Sequence, residues 1–102
     1  MYIVGRVKAD KQNRVNISSL YGPDQIPEEI VLVVDLEREA ICILKTSEAS
    51  DFGIRRKIDG KPRVVLPDWM LEELGDNRDF FLIIDGDKKY LSPKTGNVLP
   101  KA

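Results

Sequence analysis

Lys57-Ile58-Asp59-Gly60-Lys61-Pro62-Arg63-Val64-Val65-Leu66-Pro67 is the stretch on which the reading of this chain turns. Val64 and Leu66 alternate with Arg63 and Val65, the period of a strand with one covered face. Ahead of them, Asp59-Gly60-Lys61-Pro62 supplies turn residues. The same pattern occurs once before. Lys8-Ala9-Asp10-Lys11-Gln12-Asn13-Arg14-Val15-Asn16-Ile17-Ser18 lies over it with Lys8 on Lys57 and Arg14 on Arg63, an offset of 49, and Lys, Asp, Arg and Val recur in register. Arg6 falls on Arg55 in the same way. Further on, Leu32-Val33-Val34-Asp35 matches Leu82-Ile83-Ile84-Asp85 at an offset of 50, which needs one inserted residue. Two blocks repeated in order at nearly one spacing indicate an internal duplication.

Each half reads as two hairpins. In the first half, Val7 and Ala9 alternate with Arg6, Lys8 and Asp10, and Val15 and Ile17 with Arg14 and Asn16. The core prediction is that Val15, Ile17, Val64 and Leu66 point inward. Residues 30–35 and 39–45 form the next pair of strands. Their counterparts, 80–85 and 88–92, flank Gly86-Asp87, which suits a tight hairpin turn. Between the hairpins of the second half, Pro67-Asp68-Trp69-Met70-Leu71-Glu72-Glu73-Leu74-Gly75 predicts a two-turn helix, with proline and an acid at its start and glycine at its end. The same slot in the first half contains Gly22, Pro23 and Pro27, so there at most a turn is expected. The fold class is therefore mainly β with one short helix (α+β). Residues 1–46 form the first repeat, 47–53 a linker, 54–93 the second repeat and 94–102 a tail, with both repeats sharing one compact domain. Each repeat is too small to bury a sufficient core alone.

Composition narrows the function. The chain has no histidine and a single cysteine among 102 residues. There is then no Ser-His or Cys-His pair, no base that titrates near neutrality unperturbed, and no zinc ligand set. No enzyme, metal or cofactor is expected. Cys42, inside Ala40-Ile41-Cys42-Ile43-Leu44, reads as a small buried strand residue. The longest apolar runs, such as 30–34 and 80–84, are too short to span a bilayer, and no signal peptide is evident, so a cytoplasmic protein without membrane contact is expected.

The formal net charge of −1 hides a strong separation. Residues 6–14 hold Arg6, Lys8, Lys11 and Arg14 against Asp10, a net of +3. Residues 55–63 hold Arg55, Arg56, Lys57, Lys61 and Arg63 against Asp59, a net of +4, so the rest of the chain carries −8. A basic stripe at equivalent positions of two repeats, on an acidic background, orients a molecule toward a polyanion. Asp10 and Asp59 each stand four residues before an arginine, close enough to form an ion pair across the turn that could also orient Arg14 and Arg63.

Residues 53–67, the short helix ending Glu73-Leu74-Gly75, Asp79 and the hairpin through Ile83-Ile84-Asp85-Gly86-Asp87 together resemble the DNA-binding unit of the AbrB/SpoVT family. The first half resembles it more loosely, through Asp10, Arg14-Val15 and the later hairpin, and two copies in one chain are similar to the MraZ arrangement. The resemblance implies a swapped-hairpin β-barrel of interleaved units and a transcriptional regulator that contacts double-stranded DNA. The contacts would come from Arg55, Arg56, Lys57, Lys61 and Arg63 with Arg6, Lys8, Lys11 and Arg14, reading deformable DNA shape more than base identity. Where the family helix often carries basic residues, this one has Asp68, Glu72 and Glu73, so no DNA contact is expected from it. Two other functions fit the same fold: a protein-interaction or assembly module with a protein partner or as a homo-oligomer, and an antitoxin of the MazE type. The latter needs a long toxin-wrapping C-terminal segment, of which the ten residues after Ser92 offer little.

Overall fold

Runs rich in Val, Ile and Leu become strands wherever they can cover one another. The computed structural model describes residues 1–48 and 53–93. These contain the strands β1 (Tyr2–Lys8), β2 (Arg14–Asn16), β3 (Glu29–Asp35), β4 (Ala40–Lys45), β5 (Ile54–Lys57), β6 (Arg63–Val65), β7 (Asp79–Asp85) and β8 (Lys88–Pro93). One helix, α1 (Asp68–Glu73), completes them, with a single 3-10 turn at Ser18–Leu20. The protein is thus mainly β with one short helix, and its strand pairs are all antiparallel. The radius of gyration, 12.4 Å, matches the roughly 13 Å of a compact chain of this length. Most of the linker and the tail at 94–102 lie outside the described residues.

Six strands form one sheet in the order β1-β7-β8-β4-β3-β5, and β2 and β6 form a separate two-stranded ribbon. The pairing crosses between the halves. β1 lies on β7, with Val7 opposite Phe80; β5 lies on β3, with Arg56 opposite Ile30. Shifting the first pair by the offsets of the sequence repeat, 49 and 50, produces the second. On β2 and β6, Val15 stands directly opposite Val64, and on β4 and β8, Cys42 stands opposite Tyr90. Beyond the ladders, the Ala9 N–H donates to Arg78 O at 2.7 Å and the Ile58 N–H to Glu28 O at 2.9 Å.

Two expectations need correction. The strands flanking the first turn of each half do not zip into a local ladder. Asp10 N bonds Arg14 O at 3.0 Å and Asp59 N bonds Arg63 O at 3.1 Å, and then the chain diverges. Each carboxylate turns its backbone so that the strand before it stays in the large sheet while the strand after it enters the ribbon. The six-stranded sheet is also not closed into the expected barrel, and β1 and β5 are its two edges.

The core lies between the ribbon, α1 and the inner face of the large sheet. Val15, Ile17, Val64 and Leu66 are 1% exposed or less, as the alternation predicts, and Phe80, Leu82, Leu91, Ile41 and Leu32 meet them. Helix α1 buries Met70 and Leu71 and leaves Trp69 exposed. It ends where Gly75 takes φ +79° and Asp76 φ +57°, which lets the Asp76 N–H reach back to Leu71 O at 2.8 Å. Gly53 has φ +114°, and a Cβ there would lie 2.6 Å from Val31 Cγ1, so only glycine admits the chain onto β3 at this point.

Candidate nucleic-acid interface

The two first turns are built alike from a short carboxylate that binds its own backbone. Asp10 Oδ1 accepts the N–H of Gln12 at 2.8 Å and of Arg14 at 2.9 Å, and Oδ2 accepts Arg14 Nε at 2.7 Å. Asp59 Oδ1 accepts the N–H of Lys61 at 3.0 Å and of Arg63 at 2.7 Å, and Oδ2 accepts Arg63 Nε at 2.8 Å. The Arg14 N–H holds the Asp10 carboxyl below its ordinary pKa, helped by the guanidinium and the Gln12 N–H against a smaller desolvation effect. At Asp59 desolvation pushes upward, but the N–H groups of Arg63 and Lys61 and the guanidinium together outweigh it, and the net shift is again downward. Both aspartates are ionised at neutral pH, and each fixes one arginine while leaving the outer nitrogens of its guanidinium available.

The ribbon brings these two turns together. Ile17 N–H donates to Pro62 O at 3.0 Å and Leu66 N–H to Asn13 O at 2.8 Å, bonds that again differ by 49 in both partners. Asn16 Nδ2 adds a bond to Lys61 O at 2.7 Å. With Val15 and Val64 buried, the opposite face of the ribbon carries Arg14 and Asn16 on β2 and Arg63 and Val65 on β6. Arg14 stands opposite Val65 and Arg63 opposite Asn16, so the two arginines occupy diagonal corners. Lys11 and Lys61 are exposed on the turns at either end.

The remaining predicted residues flank the ribbon without all facing one way. Arg6 and Lys8 are exposed on β1, and Arg55 and Lys57 on β5. Strand alternation turns Arg56 to the other side, half-buried, where its Nε donates to Val65 O at 3.1 Å. Residues 55–57 therefore do not present one three-cation surface. Arg55 is also partly neutralised, with Nη1 3.0 Å from Glu29 Oε1. Glu29 stands opposite Lys57, and Asp79 opposite Lys8.

Sequence reasoning passed over Arg78 and Asn13. Arg78 Nη2 donates to Asp10 O and, at 2.8 Å, to Asn13 Oδ1, while Asn13 Nδ2 donates to Asp68 Oδ1 at 2.5 Å. Arg78, Lys8 and Lys11 border an open cleft of about 600 Å³ beside the first turn. The repeat offered no signal for this arginine, because the matching position holds Glu28. Asn13 takes φ +62° to close its turn, a conformation asparagine tolerates.

Chemically, the ribbon and turns offer charged N–H donors on fixed supports, a surface suited to phosphate oxygens. Among the described residues, no group of three or more acidic or cysteine side chains converges as a metal site, and no helix is long and apolar enough to cross a membrane. No protein-family model matches the chain, and no curated protein matches it.

Proposed function

We propose that this chain is a cytoplasmic, non-enzymatic DNA-binding transcriptional regulator of the AbrB/SpoVT swapped-hairpin kind, made of two tandem repeats. Its contact surface is the β2–β6 ribbon and the two turns that frame it. The observation that carries this reading is the matched pair of aspartate-anchored arginines at diagonal corners of one exposed ribbon, with a lysine on each turn. Two-stranded ribbons fit the major groove of duplex DNA. The tandem-repeat part of the reading is supported by strand registers and turn bonds that map onto one another at the offsets of the sequence repeat. Asp68, bonded to Asn13 beside the first turn, is an acid that such a surface must accommodate.

One observation favours a second reading, a protein-interaction module on the same fold. Trp69 and Leu36 are 48% and 71% exposed and, with Val33, Val34 and Met70, line a groove of about 350 Å³. The two readings separate in a titration against mixed-sequence duplex DNA. Lys11 and Lys61 form no ion pair among the described residues, so Lys11→Ala/Lys61→Ala removes charge without unpairing an acid. Each phosphate that the protein no longer neutralises should flatten the log–log salt slope by about 0.9. Lys88→Ala, beside the β7–β8 turn, should leave it unchanged. A double variant that keeps the parent's slope would contradict the ribbon assignment.

A further inference from the structure

The outward face of the ribbon is not equally polar at its four positions. Arg14 and Arg63 are matched, but their neighbours differ: where β2 has Asn16, the residue 49 positions on is Val65. Asn16 is committed within the protein. Its Nδ2 donates to Lys61 O, and its Oδ1 accepts the Ser18 N–H at 2.9 Å and the Ser18 hydroxyl at 2.6 Å. Val65 makes no such use of its side chain and is 43% exposed. Three arginines surround it: Arg14 directly opposite, Arg63 two residues back on the same face, and Arg56 bonded to its carbonyl. The other large exposed hydrophobic residues, at positions 1–4, 36 and 69, lie outside the ribbon.

A branched apolar side chain among the cations of the ribbon's outward face has one apolar counterpart in the major groove. Base edges there present hydrogen-bonding groups, except for the C5-methyl group of thymine. With the arginines and turn lysines directed to phosphates, Val65 and Asn16, at the other two corners of the outward face, are left to meet the base edges. We infer that Val65 is a specificity-determining residue that packs on a thymine methyl group, so that the protein prefers an A·T pair under the β6 side of the ribbon. Asn16 provides no equivalent preference under the β2 side, and the preferred site is unsymmetrical although the ribbon is nearly two-fold. This inference rests on the DNA-binding reading above.

The test is a titration of the full chain against two duplexes of one A·T-containing sequence, the second with every thymine replaced by deoxyuridine, which removes only the methyl groups. The parent should bind the uracil duplex about three- to five-fold more weakly, the value of one buried methyl group. Val65→Ala should bind both duplexes alike, at the parent's weaker affinity. Val65→Thr keeps the shape and strand preference of valine and should discriminate less than the parent, which covers the case of an alanine variant that fails to fold. Equal binding of both duplexes by the parent overturns the inference and leaves DNA binding standing. Undiminished discrimination by Val65→Ala or Val65→Thr overturns it as well, since the methyl group is then read elsewhere. If the parent binds neither duplex in low salt, the functional reading fails and takes the inference with it.

Discussion

Asp10 and Asp59 each bind two backbone N–H groups and one guanidinium, and this triple use makes them sensitive to acid. Both carboxyls sit below their ordinary value of 3.8 in the folded chain. A carboxyl with a depressed folded pKa stabilises the fold fully above its unfolded pKa. That contribution disappears as pH falls through the folded one. The contribution of these groups to thermal stability should therefore be full and constant between pH 7 and about 5, and decline below about pH 4. Asp10→Asn/Asp59→Asn should make the acid limb of a Tm-against-pH curve shallower. An identical limb would mean that the two turns do not couple to protonation. These aspartates were legible in the sequence because each partner is four residues away. Asn13, Asn16 and Arg78 were not, since their partners lie 45 to 68 residues off and only the fold brings them together.

The strands of the ribbon are three residues each, too short to persist unless their inner face is covered. That face is Val15 on Val64, continued by Ile17 and Leu66 at no measurable exposure. Leu66→Ala or Ile17→Ala should cost about 2–5 kcal/mol in chemical denaturation, whereas Glu72→Ala on the exposed side of α1 should change stability by less than about 0.5 kcal/mol. Comparable losses from all three would mean that the faces are assigned the wrong way round. Period-two alternation made the inward residues readable, but it carries no information about partner strands, and hence the first hairpin of each half is replaced by pairing between halves, while the second hairpins, β3–β4 and β7–β8, form as expected. It also missed the start of β1. Tyr2, Ile3 and Val4 do not alternate with polar residues, and only their position beside Ile83 and Ile84 makes them a strand. The helix was legible from its proline, acids and glycine because those signals act within one or two turns.

In the whole molecule, neither half owns its sheet. β1 pairs with β7 and β5 with β3, and the ribbon takes one strand from each half. A fragment of residues 1–48 would keep the β3–β4 hairpin and lose every partner of β1 and β2. It should be unfolded or strongly self-associating in circular dichroism and sedimentation, and a stable folded monomer would contradict the mutual dependence of the halves. The same crossing sets the charge pattern, because it brings Arg14, Arg63, Lys11 and Lys61 to one ribbon and its turns, with Asp68, Glu29 and Asp79 as the acids nearest the basic segments. The central claim is that this ribbon binds DNA, and the parent's own salt dependence tests it most directly. If Lys11, Arg14, Lys61 and Arg63 each neutralise one phosphate, the slope of log affinity against log salt for a mixed-sequence duplex should be about −3.6 or steeper. A slope near zero, or no binding at the lowest salt, would contradict the account.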